Sequence, residues 1–369
     1  MKILLLCPFF TGSHKQWATG YAKASEHEVK IMSLSGHHWK WRMHGAAITL
    51  GRRFMESDYQ PDLILATDML NLASFMAITR KRTANTPTAL YFHENQLTYP
   101  WSPQDSDIRH KRDNHYGFIN FSSALTADAV FFNSAYHRKA FLSALPEFLN
   151  QFPDHNETGC IALLEQKSEV LPLGMDLQRF LAAKPKTLDR PKRAVFLWNH
   201  RWEYDKNPEQ FFEAMFRLED RGLDFKLVIL GERFKKQPPI FERARAFFDD
   251  RILQYGYAES FEEYAYWLWM ADLLPVTSYH DFFGGSVVEA MYCNVTPLLP
   301  KRLAYPEHIP ESVHRAFFYE SDREFVDELQ RRMIHTRLLR KHDTAQYVEK
   351  YDWGQMAKQY DVRFEAMLL

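Results

Sequence analysis

The sequence predicts an α/β protein built from two consecutive Rossmann-like domains, and three observations lead there. The 369 residues exceed the roughly 250 to 300 at which a single core stops growing. Short continuous apolar runs alternate with longer amphipathic stretches, the pattern of parallel strands buried on both faces between helices. That rhythm breaks at a polar, proline-containing segment, 183–192, and then resumes, as an interdomain linker requires.

The first domain is expected over 1–175, with strands at Lys2–Cys7, Glu28–Leu34, Asp62–Ala66, Thr88–Phe92 and Ala129–Phe132. The opening MKILLLCPFF mimics a secretion signal, but its apolar run is short and leads into Thr11-Gly12-Ser13-His14 rather than a small-residue cleavage site, so it reads as the first buried strand. A second domain is expected over 176–351, with strands at Ala194–Trp198, Phe225–Leu230, Ile252–Gln254, Leu273–Val276 and Val295–Leu299. The tail 352–369 has the spacing of an amphipathic helix opened by Trp353, expected to cross back onto the first domain. In doubly wound sheets ligands gather at the carboxyl ends of the strands, so two such domains can face each other across a central cleft.

Composition narrows the function classes. With 46% hydrophobic and 25% charged residues the chain reads as ordinary globular sequence. Three widely spaced cysteines, Cys7, Cys160 and Cys293, suit neither a disulfide framework nor a metal knuckle and point to a reducing, cytoplasmic setting. No run of about 18 apolar residues is present to span a bilayer. A formal net charge of −1 gives no global attraction to phosphate, so any nucleic-acid contact needs a local basic patch.

Four segments carry candidate chemistry. The first strand ends at Gly12-Ser13, where backbone amides can approach a ligand, although the GxGxxG spacing of dinucleotide enzymes is absent and a bland turn fits as well. After the strand ending at Trp198, Arg201 and Lys206 place two cations at a strand mouth. Arginine's planar fork and lysine's point charge suit a diphosphate, though a solvated charged loop has the same composition. In His280-Asp281-Phe282-Phe283-Gly284-Gly285-Ser286-Val287-Val288-Glu289, two acids bracket a glycine pair that opens a helix. Amides of Gly285, Ser286 and Val287 would face an anion, Glu289 would reach ribose hydroxyls or act as a structural partner, and Asp281 would sit nearer a transferred group. In Phe92-His93-Glu94-Asn95-Gln96, polar groups follow a buried strand, and His93 is the candidate to face a reacting sugar. Tyr257, after Gly256, is a candidate wall of a nucleobase pocket.

With these segments in place the chain resembles the GT4 family of GT-B glycosyltransferases, a likeness running from the first strand to the final helix. Val170-Leu171-Pro172-Leu173-Gly174-Met175-Asp176 resembles that family's entry to its second domain. Its E-x7-E motif is represented by Asp281 and Glu289, the first acid being one methylene short. More narrowly, GSHKQW at 12–17, YFHENQLTYP at 91–100, HRWEYDKNPEQFF at 200–212 and DFFGGSVVEAMYC at 281–293 are similar to the tRNA-queuosine α-mannosyltransferases. The resemblance implies mannose transfer from GDP-mannose to the cyclopentenediol of queuosine, with retention and without an obligatory metal or other cofactor. It assigns diphosphate binding to Arg201 and Lys206, sugar and ribose contacts to Asp281 and Glu289, and gives queuosine-containing tRNA as the partner.

For the tRNA, a loop containing Trp39, Lys40, Trp41 and Arg42 interleaves aromatic and basic groups, which stack bases and hold phosphates. Glu94, Asn95 and Gln96, and a second basic run with Arg109, Lys111 and Arg112, complete the acceptor candidates. Two further readings stay open: a GT4 transferase acting on lipid or polysaccharide, and a catalytically silent nucleotide-sugar or RNA-binding module.

Overall fold

The computed structural model describes residues 1–102, 114–232 and 237–369. They form two compact units, one of 1–176 with 351–369 and one of 177–350. Each unit is built on a six-stranded sheet whose neighbouring strands all run parallel.

The first unit contains β1 (Lys2–Phe10), β2 (Glu28–Ser35), β3 (Leu63–Thr67), β4 (Thr88–Phe92), β5 (Ala129–Phe132) and β6 (Ser168–Val170), in the order β2-β1-β3-β4-β5-β6. Every residue of β3 and β4 is buried, as two-sided covering by helices demands. One core gathers Leu4, Leu6, Ile64, Leu90, Phe92 and Phe132, with the Phe92 and Phe132 rings stacked 4.8 Å apart. From β1 the chain steps outward to β2 and then crosses back to β3, so the switch point where ligands collect lies between β1 and β3.

The terminal helix Trp353–Glu365 belongs to this unit. A Cβ at Gly20 would meet the Trp353 indole at 2.0 Å and one at Gly174 would meet it at 2.4 Å, so both glycines are there to admit that ring. The Tyr360 hydroxyl accepts from Trp17 Nε1 at 3.0 Å and lies 2.9 Å from both the Tyr91 hydroxyl and the Pro172 carbonyl. Asp361 accepts hydrogen bonds from the Tyr21 and Ser25 hydroxyls and from the Glu26 amide.

The second unit contains β7 (Ala194–Trp198), β8 (Phe225–Leu230), β9 (Ile252–Gly256), β10 (Leu273–Pro275), β11 (Thr296–Pro300) and β12 (Phe318–Tyr319), in the order β12-β11-β10-β7-β8-β9. Its core is aromatic: Trp198, Trp202, Phe211, Phe212 and Phe241 are buried together, and Trp202 stacks on Phe241 at 4.2 Å. The order reverses between β7 and β10, which makes the loops after those two strands its switch point. All ten expected strands are present. The two additional ones, β6 and β12, are edge strands of three and two residues, too short to show an apolar run.

Candidate functional site

At the first switch point, β3 delivers Asp68 and β4 delivers His93. The His93 backbone N–H donates to Asp68 Oδ1 at 2.9 Å, and the His93 Nδ1 lies 3.4 Å from the same oxygen. Burial lifts the Asp68 carboxyl to about 6 and depresses His93 to about 3, so the imidazole is neutral. The ring is packed by His14 at 4.3 Å, Trp17 at 4.6 Å and Tyr91 at 4.9 Å. Asn133 Nδ2 donates to the His93 carbonyl, and Asn120 links the Asp68 carbonyl to the Gln96 amide. Asp68 and His14 received no role from sequence; an acid directly after the apolar run Leu63–Thr67 was the available signal.

Several acceptor expectations change. Asn95 is fully buried and its Oδ1 accepts from the Leu97 and Thr98 amides, so it shapes the turn and does not face an acceptor. The Gln96 amide donates to Glu94 Oε1 at 2.9 Å. Trp39, Lys40, Trp41 and Arg42 are not a loop: they open the helix Trp39–Met55 after His38, whose φ of 57° turns the chain through the left-handed region. The segment divides there, since Trp39 packs against Tyr116 and Trp101, Lys40 lies over the same three rings, Arg42 donates to the Ser35 carbonyl and hydroxyl, and Trp41 is 64% exposed. Gly12 has a φ of +48° and no atom within 4 Å of an added Cβ, leaving open space above it and the exposed Ser13. Arg109, Lys111 and Arg112 lie outside the described residues.

At the second switch point, Arg201 and Lys206 are brought together with Asp281, but in unequal settings. The Lys206 ammonium is enclosed and donates to the His280 carbonyl at 2.7 Å and to Asp281 Oδ1 at 3.0 Å, and it forms an ion pair with Asp205 Oδ2 at 3.2 Å. Arg201 has a half-exposed side chain, with Glu203 at 3.0 Å and Asp205 at 4.0 Å. Asp281 also accepts from the Tyr305 hydroxyl at 2.6 Å. Burial pulls its carboxyl upward, yet the Lys206 charge, His200 and the Tyr305 bond outweigh that and hold it near 2. It therefore anchors Lys206.

The glycine pair does open the helix Gly285–Tyr292. Gly284 adopts a φ of +85°, and a Cβ there would meet Tyr305 at 2.9 Å. Val287 donates back to the Gly284 carbonyl at 2.9 Å, so the amides available to an anion are those of Gly285 and Ser286 and not that of Val287. Ser286 Oγ pairs with His200 Nδ1 at 3.0 Å, and its carbonyl accepts from Asn199 Nδ2 at 2.8 Å. His200 Nε2 and Asn199 Oδ1 remain buried and unpartnered beside those amides. Neither residue was assigned a role from sequence.

Glu289 is occupied on both oxygens, by Arg179 at 3.3 Å and the Tyr264 hydroxyl at 2.8 Å, and burial raises its carboxyl above the usual range. Of the two sequence readings, the structural one describes these contacts. Tyr257 is 70% exposed just after Gly256, whose φ is +114°.

Comparison with known proteins adds identity to this geometry. Residues 2–175 match the family described as tRNA-queuosine alpha-mannosyltransferase N-terminal, and residues 181–350 match glycosyl transferases group 1. Among solved structures, a glycosyltransferase from Rickettsia africae superposes with a TM-score of 0.69 at 14% identity, over 100% of this chain and 98% of that one. Sucrose-phosphate synthase from Thermosynechococcus elongatus gives 0.68 at 15%, over 100% and 99%. At such identities the likeness concerns the fold. The protein is thus a glycosyltransferase of the GT-B fold. A tRNA-queuosine alpha-mannosyltransferase from Drosophila melanogaster is 33% identical over 316 residues, 84% of this chain and 82% of that protein. The chain belongs to the tRNA-queuosine α-mannosyltransferase family.

Proposed function

We propose that the protein transfers mannose from GDP-mannose to the cyclopentenediol of queuosine in tRNA, with retention and without an obligatory metal. The observation that carries this reading is the 33% identity to a tRNA-queuosine alpha-mannosyltransferase over most of both chains. The second unit supplies chemistry suited to a departing nucleoside diphosphate: the half-exposed Arg201 fork, the Gly285 and Ser286 amides, and the unpartnered His200 Nε2. Lys206 acts by holding that loop, and by exchanging a carboxylate for phosphate when the donor enters. The departing phosphate oxygen takes the acceptor proton, so no carboxylate pair of the glycosidase kind is needed.

The tRNA is gripped by the first unit, with exposed Trp41 stacking on a base and Arg42 and Arg53 lining an open groove with Phe10, Ser33, Ser35 and Thr49. We assign the protein to the cytoplasm, in keeping with three free thiols; no helix among the described residues is long and apolar enough to cross a membrane. The test is incubation with radiolabelled GDP-mannose and tRNA that contains or lacks queuosine. Label in the first alone is expected, and equal label in both, or in neither, sinks the proposal.

A further inference from the structure

The first switch point holds three side chains whose ligand-capable atoms lie within 4.8 Å of one another: His14 from the first turn of the helix Gly12–Ala24, Asp68 after β3 and His93 after β4. Both ring nitrogens of His93 are enclosed and without a hydrogen-bond partner, and so is His14 Nδ1. Of the four imidazole nitrogens in this stack, His14 Nε2 is the one not shut in. The His14 ring covers that of His93, with centroids 4.3 Å apart and planes inclined by 33°. Beside it the left-handed turn at Gly12 leaves the rim open, with nothing within 4 Å of an added Cβ.

We infer that His14, through Nε2, is the imidazole that contacts the transferred sugar, and that His93 and Asp68 are the positioning pair behind it. The inference rests on the proposed sugar transfer and moves the contact one residue outward from His93. Asp68 fixes His93 through the backbone N–H at 2.9 Å and lies 3.4 Å from the ring Nδ1. Trp17 and Tyr91 close the remaining sides of the His93 ring, and the face left over supports His14. Burial and the neighbouring His93 bring His14 to about 3, so it meets a sugar hydroxyl as a neutral donor or acceptor. A neutral ring also avoids repelling the positive charge that develops on a sugar during glycosyl transfer.

The same three groups have the chemistry of transition-metal ligands. Imidazole lone pairs lie in the ring plane, however, and two rings facing each other at 4.3 Å aim them side by side instead of converging on one ion. Metal binding is accordingly an outcome of the test that counts against the inference.

The experiment uses the full chain with GDP-mannose and queuosine-containing tRNA, and the variants His14→Phe, His14→Gln and His93→Phe, each checked for an intact melting transition. Phenylalanine keeps the stack but removes the nitrogens. His14→Phe is expected to lower kcat by about 100-fold or more, with donor KM within about threefold, because the contact is realised at the reacting sugar. His14→Gln, whose amide reaches the Nε2 position, should recover about a tenth of wild-type activity, and His93→Phe should lose about tenfold. His14→Phe within threefold of wild type, or His93→Phe falling further than His14→Phe, overturns the inference. So does stoichiometric zinc or cobalt bound by the wild type and lost in His14→Phe. If His14→Phe does not fold, His14→Gln against His14→Asn decides: asparagine matches Nδ1, and its performing better than glutamine refutes the Nε2 contact. An inactive wild type removes the proposed reaction and this inference together, whereas an active wild type with an active His14→Phe removes the inference alone.

Discussion

Replacing Asp281 by asparagine isolates the charge that holds Lys206. The carboxylate touches the ammonium at 3.0 Å and accepts from Tyr305 at 2.6 Å, and an asparagine carbonyl can accept one of these bonds but brings no charge. The side chain is largely buried, and its carboxyl falls from 3.8 in the unfolded chain to about 2 in the folded one. That difference corresponds to about 2 kcal/mol of folding free energy at neutral pH. Asp205 still faces Lys206 at 3.2 Å, so the loss should stay below the 3 to 5 kcal/mol typical of a buried charge left wholly unpaired. For a unit of this size about 2 kcal/mol lowers the melting temperature by roughly 4 to 8 °C. Because the folded carboxyl is depressed, its contribution is complete above the unfolded value and fades as pH falls from 3.8 toward 2. Melting curves of wild type and variant should therefore differ by a constant gap between pH 5 and 8, narrowing only below pH 4. Equal stability at pH 7, or a gap that closes near pH 6, refutes the assignment of the anchor to this carboxylate.

Arg201→Ala should weaken GDP binding by about 10 to 100-fold, the worth of charge-assisted bonds to phosphate, while leaving the melting temperature nearly unchanged because its own ion pairs are half exposed; calorimetry showing wild-type affinity would count against it. Trp41→Ala should cost about tenfold in tRNA affinity at matched salt without loss of stability, whereas Trp39→Ala should also destabilise by unpacking Tyr116 and Trp101. Acid should destabilise the protein early: His14 and His93 at about 3, and His200, His280 and His308 at about 4, all lie below the unfolded 6.5, so each withdraws up to about 1.4 kcal/mol per pH unit as pH falls below 6.5. A melting temperature that stays level from pH 6.5 to 4.5 would contradict this.

What the sequence disclosed follows from what is local in it. Strands such as Leu63–Thr67 and Thr88–Phe92 are legible because burial on both faces makes them continuous apolar runs. The glycine pair announced a helix start, and the loops after β7 and β10 were singled out correctly as places where charge collects. Partners distant in sequence were not legible. Glu289 meets Arg179 across 110 positions and Asp68 meets His93 across 25, so a lone acid after a strand gave no hint of whether it faces a ligand or a neighbour. The Trp39–Arg42 stretch read as a loop because its helix lacks an acidic first turn or side-chain cap. Its packing on Tyr116 and Trp101 joins it to residues distant in the sequence.

Two cations at a strand mouth suggested a positively charged cradle, and the structure revises that electrostatic picture while keeping its residues. Around β7 and β10, among the described residues, Arg201 and Lys206 are already paired with the carboxylates of Glu203, Asp205 and Asp281. A donor diphosphate binding there, as proposed, meets cations that carboxylates already occupy. On that reading it displaces Glu203 from the Arg201 fork and takes hydrogen bonds from the Gly285 and Ser286 amides and from His200 Nε2, which have no internal partner among the described residues. Burial already raises the Glu203 carboxyl, which lowers the cost of giving up that ion pair. The acids thus hold Lys206 and Arg201 in position, and on the proposed reading selectivity for a nucleoside diphosphate over a stray anion comes from the oriented donors, since a small ion that reaches the cations alone has to compete with three resident carboxylates.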